Sequence, residues 1–236
     1  MPTHDSSTAR DRINIAIDGP AGAGKSTVAR QVAKRLGYVY IDTGAMYRAV
    51  TLAALRSGTA IDENDKMSQL VAELDIRLEP GDPVQRVCLN GEDVTEAIRG
   101  REVTQSVSAV AAIEAVRLRL VDKQRELARA RGVVMDGRDI GSHVLPNAEL
   151  KVFLTASVEE RALRRFKESG EAQGIALADL EREIAERDRK DAGRAISPLI
   201  QAADAVLIDS TELTIEEVSS RITELGLTKM AEGTTR

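Results

Sequence analysis

Aromatic side chains are scarce in this chain, which has three Tyr, two Phe and no Trp among 236 residues. Proteins that hold single-stranded nucleic acid by stacking need aromatic platforms, and this chain has almost none to offer. Its 33 Lys and Arg are outnumbered by 38 Asp and Glu, which gives a net charge of −5. Because sequence-independent duplex binding needs a basic surface, we expect no nucleic acid polymer as a partner.

Cysteine, histidine and long apolar runs are also missing or rare. Cys88 is the only cysteine, and His4 and His143 are the only histidines, which excludes an intrachain disulfide and a Cys/His zinc site. No apolar run is long enough to cross a bilayer, and residues 1–12 lack the apolar core of a signal peptide. We therefore expect a cytoplasmic chain without a membrane partner, with flexible tails at residues 1–12 and 229–236.

The rest of the chain alternates short apolar runs with helical patterns, which predicts a single α/β domain at residues 13–228. A parallel sheet with helices on both faces is expected from this alternation. Two stretches interrupt it: an α+β insert at about 62–100, with an Asn90-Gly91 hairpin turn, and a charged helical segment at about 159–194. Five strands are predicted, at Ile13–Ile17, Tyr38–Ile41, Val133–Met135, Leu150–Leu154 and Ala205–Ile208.

A glycine-rich loop follows the first predicted strand and fits the phosphate-loop pattern G-x-x-x-x-G-K-[ST] in full. Glycines let backbone N–H groups surround a phosphate, and the following helix directs its positive end at the anion. Lys25 can reach the outer phosphates of ATP, and the Ser26 hydroxyl can bind Mg²⁺. The loop and the start of its helix comprise Gly19, Pro20, Ala21, Gly22, Ala23, Gly24, Lys25, Ser26 and Thr27.

Charged residues follow two other predicted strands, at the sheet edge where such loops bind ligands. Asp42 and Thr43 open a helix that carries Tyr47 and Arg48. An Asp in that place is more often a helix N-cap than a ligand. The apolar run at Val133–Met135 ends in Asp136, Arg138 and Asp139. A carboxylate there can orient metal-bound water beside a phosphate loop, although Asp is also common at the ends of strands.

One helical stripe changes from apolar to charged without changing direction. Leu177, Leu180 and Ile184 continue as Arg187, Asp191 and Arg194 at spacings of three and four residues. The stripe predicts either a helix that leaves the core for solvent or a helix whose end overhangs an anion-binding cleft. The phosphate loop favours the second interpretation.

Together these segments resemble those of the bacterial cytidylate kinase family, from about Ile13 to Leu225. The resemblance rests on Ile17–Ser26, Asp42–Arg48, Asp136–Gly141 and Glu186–Arg194. It implies a P-loop NTPase fold with a monophosphate-binding insert and a helical lid. It also implies a monomeric enzyme of pyrimidine nucleotide metabolism that transfers the γ-phosphoryl group of ATP, with Mg²⁺, to CMP or dCMP.

The resemblance further implies roles for individual residues. Arg48, Arg138 and Arg194 correspond to the clamp on the acceptor phosphate. Ser108, Arg117 and Asp139 correspond to the groups that read cytosine, and Arg187 and Asp191 to those that hold the sugar. Asp42, Thr43 and Tyr47 lie in the same acceptor motif, with Thr43 where the family often has Ser. Among the lid arginines, Arg161 and Arg165 are candidate contacts to ATP. Lys25, Asp136, Arg138, Arg187 and Arg194 are the expected catalytic residues.

Two other functions stay open on the residues alone. One is a small P-loop kinase acting on UMP, AMP or an alcohol such as shikimate. The other is a nucleotide-dependent switch without an acceptor, although the chain lacks the Asn-Lys-x-Asp segment with which GTPases read guanine.

Overall fold

The computed structural model describes residues 12–81, 84–170 and 174–234. Within these ranges it contains eight strands and eight α-helices. The strands are β1 (Asn14–Asp18), β2 (Val39–Asp42), β3 (Ile76–Glu79), β4 (Arg86–Leu89), β5 (Glu92–Asp93), β6 (Val133–Gly137), β7 (Leu150–Thr155) and β8 (Val206–Asp209). The helices are α1 (Lys25–Leu36), α2 (Thr43–Ser57), α3 (Asn64–Glu73), α4 (Arg101–Val110), α5 (Glu114–Ala128), α6 (Val158–Arg165), α7 (Leu177–Ala192) and α8 (Ile215–Thr234).

The predicted five-stranded parallel sheet is confirmed, in the order β2-β6-β1-β7-β8. β1 lies at its centre and pairs in parallel with β6 on one side and with β7 on the other. Neighbouring β-branched residues such as Ile15, Ile17 and Val134 are fully buried in the sheet, as expected for strands covered on both faces. The carboxyl end of β1 therefore lies between two other strand ends.

The chain divides into two compact units. The first contains the described residues of Met1–Tyr40, Ala128–Gly193 and Ser197–Arg236, and the second contains Ile41–Leu127 and Arg194–Ile196. The core of the first unit packs α1 and α8 against the sheet, with Val28, Val32 and Ile222 buried. The core of the second unit gathers side chains from α2, α4 and the small sheet, including Met46, Val87 and Val107.

The second unit contains the predicted insert and extends beyond it on both sides. Its antiparallel sheet has the order β3-β4-β5. Asn90 and Gly91 join β4 to β5 with φ angles of 51° and 85°, as a two-residue hairpin of the I′ type requires. The hairpin signal read from the sequence is confirmed.

The end of helix α8 differs from the sequence-based expectation. α8 continues to Thr234, so residues 229–234 are helical and not a flexible tail. Met230 packs against the core of the first unit, and Lys229 pairs with Glu232 one turn on. These contacts stabilise the polar final turns of the helix. Residues 1–11, 235 and 236 of the predicted tails lie outside the described residues.

The charged stripe is shorter than expected. α7 ends at Ala192 and is capped by Gly193, so Arg194 does not belong to the helical stripe. Among the described residues, no helix is long and apolar enough to cross a membrane.

Candidate active site

The glycine-rich loop joins the central strand β1 to α1. Gly19, Gly22 and Gly24 have φ angles of 150°, 77° and 84°, which side chains with a Cβ rarely adopt. At Gly19 a Cβ would lie 1.9 Å from the backbone oxygen of Leu154 in β7. The close approach of two backbones therefore requires glycine here, and it brings the loop directly over the sheet.

Lys25 begins α1 and is buried, with 6% of its surface exposed. Its Nζ donates to the carbonyl oxygen of Pro20 at 2.7 Å, so the side chain folds back over the loop. Burial and then the positive charge of Arg138 lower the pKa of Lys25 to about 7, while Asp136 opposes the shift. A second cation, Arg187, also lowers this pKa. An anion at this point would relieve the repulsion among these cations.

Ser26 lies beside a carboxylate at the end of β6. Its Oγ donates to Oδ2 of Asp136 at 2.9 Å, and the hydroxyl of Tyr40 donates to Oδ1 of the same residue at 3.0 Å. The sheet register explains the approach, because Asp136 is the partner of Ile17 near the end of β1. A hydroxyl and a buried carboxylate together form an oxygen donor set that suits Mg²⁺.

Asp18, the last residue of β1, contacts the turn that follows β6. Its two carboxylate oxygens accept from the backbone N–H groups of Ile140 and Gly141, each at 2.7 Å. Burial raises the pKa of Asp18 to about 6 against the opposing effect of these two bonds, and the nearby Asp139 raises it further.

Arg138 and α7 are joined by an ion pair inside the first unit. The Arg138 Nε donates to Oδ2 of Asp191 at 2.9 Å, and the side chains are 19% and 4% exposed. Leu180 and Ile184 lie about three and two turns before Asp191 and are also buried. Arg187 is half-buried and Asp191 is buried, which contradicts a helix that simply leaves the core for solvent. Asp139 is buried as well.

Of the lid arginines, Arg161 contacts the phosphate loop. It is buried in α6, and its guanidinium donates to the carbonyl oxygens of Ala156 at 2.8 Å and of Ala21 at 2.9 Å. It also pairs with Asp188 of α7 at 2.6 Å. Arg164 turns elsewhere, to Glu160 and to Ser210, and Arg165 is half-buried. Helical spacing thus sends these arginines in different directions.

In the second unit, the residues that open α2 are held by local contacts. Asp42 caps the helix, because its Oδ1 accepts from the N–H of Ala45 at 2.9 Å, and Thr43 is buried behind it. Arg48 donates from one nitrogen to the Ile98 carbonyl at 3.2 Å and to the Thr104 hydroxyl at 2.8 Å. The capping role anticipated for Asp42 is confirmed.

Arg117 is the most enclosed cation of the second unit, with 2% of its surface exposed. It donates to the Ala111 carbonyl at 3.1 Å, and its guanidinium lies 5.6 Å from the centre of the Tyr47 ring. That distance is within the range of a cation–π contact. Ser108 is half-buried near the end of α4, and Arg194 is half-buried in the short segment 194–196.

Three residues of the first unit contact candidate site residues or the turn after β6, although the sequence did not predict them as site residues. Tyr40 bonds Asp136, Asp188 holds Arg161, and Asp18 holds the turn after β6. Asp18 carried a signal in the sequence, since this carboxylate lies directly after the apolar residues Ile15–Ile17 and directly before the phosphate loop. Tyr40 and Asp188 had none, because their partners are distant in sequence.

Comparisons with known proteins identify the family of this chain. The family model described as cytidylate kinase matches residues 15–227. Cytidylate kinase of Exiguobacterium sibiricum is 57% identical over 215 residues, 91% of this chain and 96% of that protein, and cytidylate kinase of Ligilactobacillus salivarius is 56% identical over 89% and 95%. An uncharacterized Eubacterium ventriosum protein of known structure shares the fold at 13% identity and a TM-score of 0.50, covering 92% of this chain and 99% of that one. The chain therefore belongs to the cytidylate kinase family and is a kinase.

Proposed function

We propose that this chain transfers the γ-phosphoryl group of ATP to CMP, giving CDP and ADP, and that it also accepts dCMP. The match to the cytidylate kinase family over residues 15–227 carries the proposal. The phosphate loop, with its buried lysine and its hydroxyl–carboxylate pair, supplies what phosphoryl transfer asks of a protein, namely positioning and charge stabilisation.

On the donor side, we propose that Gly19–Thr27 binds the phosphates of ATP and that Lys25 bonds its β- and γ-phosphates. Ser26 would hold Mg²⁺ directly, and Asp136 would hold it through a water molecule. The oxygen donors present fit that ion, since Ser26 Oγ and Asp136 Oδ2 are 2.9 Å apart. When bound, Mg²⁺ neutralises charge on the phosphate oxygens.

On the acceptor side, the resemblance supports separate roles for residues of each unit. In the first unit, Arg138 would bind the phosphate of CMP, Asp139 its base, and Arg187 and Asp191 its sugar hydroxyls. The ion pair of Arg138 with Asp191 supports this grouping, because it holds the two side chains in contact.

In the second unit, Arg48 and Arg194 would bind the phosphate of CMP, and Ser108 and Arg117 would read the cytosine edge. Asp42, Thr43 and Tyr47 would form the wall of this site. The contact of Arg117 with Tyr47 and its bond to Ala111 hold the guanidinium in one orientation, as a group that reads hydrogen-bond positions requires.

The lid arginines contribute differently in this proposal. Arg161 would act on ATP through the phosphate loop, because its guanidinium already bonds the Ala21 carbonyl and Asp188. Arg165 would contact the phosphates themselves. Arg187, whose charge lowers the pKa of Lys25, would stabilise the group in transfer.

We also propose a monomer that acts on free nucleotides in the cytoplasm, where ATP and CMP are found. The domain would comprise residues 13–228, with its insert at about 62–100 and its lid at about 159–194. Light scattering after gel filtration tests the oligomeric state, and a mass near twice 25.5 kDa would contradict a monomer.

The deciding experiment measures ADP release from ATP with CMP, dCMP, UMP, AMP and shikimate as acceptors. We expect CMP and dCMP to raise the rate at least a hundredfold over ATP alone, and the other acceptors to do much less. Lys25→Met is the control for a contaminating kinase. A higher rate with AMP or shikimate would contradict the proposal, and slow ATP hydrolysis that no acceptor stimulates would indicate a nucleotide switch.

A further inference from the structure

Asp18 is a buried carboxylate that has no role in the proposed phosphoryl transfer. It ends β1 directly before the phosphate loop and is 5% exposed. Its Oδ1 accepts from the N–H of Ile140 and its Oδ2 from the N–H of Gly141, both at 2.7 Å. A pair of short bonds to consecutive amides fixes both the position and the orientation of the backbone at that point.

Those two amides open the helical turn Ile140–Val144, whose N-cap residue is Asp139. An Asp in that position ordinarily caps the turn with its own side chain, but Asp139 makes no such bond. Asp18 supplies the capping carboxylate from another strand. Asp139 is therefore not needed as the cap, although it holds the cap position.

We propose that Asp18 is a positioning residue for the acceptor: it fixes the turn after β6 and thereby the placement of Arg138 and Asp139. The inference rests on the proposed function, in which these two residues bind the phosphate and the base of CMP. Arg138 and Asp139 directly precede the two amides that Asp18 holds, so a shift of the turn moves both side chains.

The negative charge of Asp18 supports a functional role, because ionising this buried group lowers the free energy of unfolding. The charged groups that bear on it are Lys25 from α1 and Asp139 from the turn, and the stem of Lys151 in β7 packs beside Gly141. Burial raises the pKa of Asp18 to about 6, so between about pH 4 and pH 6 the folded chain holds a proton that the unfolded chain has released. Stability due to this group consequently falls as the pH rises through that window, and the ionised form present at pH 7.5 is the costly one. A costly charge that bonds a loop of the site is typical of a functional constraint.

The test compares Asp18→Asn with Ile17→Val at pH 7.5. The first variant keeps the shape of the side chain but leaves one acceptor oxygen for two N–H groups. The second trims the neighbouring residue of β1, which is fully buried and has no polar contact to the turn. Steady-state assays give KM for CMP and for ATP separately, and thermal unfolding gives the stability of each variant.

For Asp18→Asn we expect KM for CMP to rise at least tenfold, KM for ATP to change less than threefold, and Tm to stay within a few degrees of the wild type. Hydrogen exchange should show the amides of residues 140 and 141 exchanging at least tenfold faster. Ile17→Val should leave both KM values and this exchange rate unchanged. If Asp18→Asn does not fold, Asp18→Ser replaces it, since its single hydroxyl also leaves one acceptor.

Three results would overturn the inference: an unchanged KM for CMP, equal rises of both KM values, or unchanged exchange at residues 140 and 141. Equal rises would assign Asp18 to the phosphate loop and not to the acceptor. These outcomes are separate from a failure of the proposed function, which would show as a wild-type chain that does not phosphorylate CMP. The exchange measurement needs no substrate and tests the contact in either case.

Discussion

Gly19→Ala tests whether the phosphate loop needs its close approach to β7. The missing Cβ of Gly19 would lie 1.9 Å from the Leu154 oxygen, whereas close contacts between carbon and a backbone oxygen are about 3.3 Å. The loop or the strand must therefore move by roughly 1.4 Å, taken as the difference between these two distances. Neither atom belongs to a flexible side chain, so the displacement passes to the phosphate-binding backbone.

A misplacement of about 1 Å can lower a catalysed rate about a hundredfold. We expect Gly19→Ala to lower kcat/KM for ATP by roughly that factor, with a further loss of about 1–3 kcal/mol of stability from the positive φ. Activity is measured per folded molecule, below the unfolding temperature, by ADP release at varied ATP concentrations.

Gly37→Ala is the matched control. Gly37 also has a positive φ, 64°, but a Cβ there would meet nothing within 4 Å. It caps α1 at the end away from the loop. Its substitution should cost about 1 kcal/mol of stability and leave kcat/KM unchanged. If Gly19→Ala kept wild-type kcat/KM, or if both variants lost activity alike, the contact with Leu154 would not be what shapes the loop.

Two further predictions concern the same loop. Because the pKa of Lys25 is lowered to about 7, it is mostly neutral at pH 8, and binding of ATP should take up as much as roughly 0.9 proton per molecule. Calorimetry in two buffers of different ionisation enthalpy measures this uptake, and uptake that persists in Lys25→Met would contradict it. Ser26→Ala should raise the Mg²⁺ concentration for half-maximal activity at least tenfold, about 1.4 kcal/mol. Tyr40→Phe should raise it by less, because the Tyr40 hydroxyl donates to Oδ1 of Asp136 and not to Oδ2, the oxygen beside Ser26. Equal effects of the two variants would argue against Ser26 as a ligand.

Elements with strong local signals could be predicted closely from the sequence. Helix α1 begins at Lys25, directly after the glycine-rich loop, and Gly37, with φ 64°, ends it, so both of its ends carry a local signal. The hairpin at Asn90 was readable because few residues other than glycine and asparagine accept the backbone of such a turn. By contrast, the final turns of α8 depend on Met230 reaching the core, which no local pattern reveals.

For the candidate site, the residue types could be predicted from the sequence, but their contact partners could not. The types of residue in the loop and at the end of β6 follow from phosphate chemistry, so Lys25, Ser26 and Asp136 could be named in advance. The partners that orient them could not. Arg161 bonds the carbonyl of Ala21, 140 residues away, and helical spacing indicates only that the lid arginines diverge. Such contacts depend on the order of strands in the sheet, which a single sequence does not specify.

The acidic composition also conceals a cluster of cations around Lys25. The chain has a net charge of −5, yet the charges of Arg138 and Arg187 both lower the pKa of Lys25. Lys25 donates to the carbonyl oxygen of Pro20, and Arg138 donates to the carboxylate of Asp191. A phosphate must compete with these oxygens, but its charge also removes the repulsion that the cations now share. We therefore expect a multiply charged anion to bind here better than a neutral alcohol, since the alcohol would break the same bonds without relieving that repulsion.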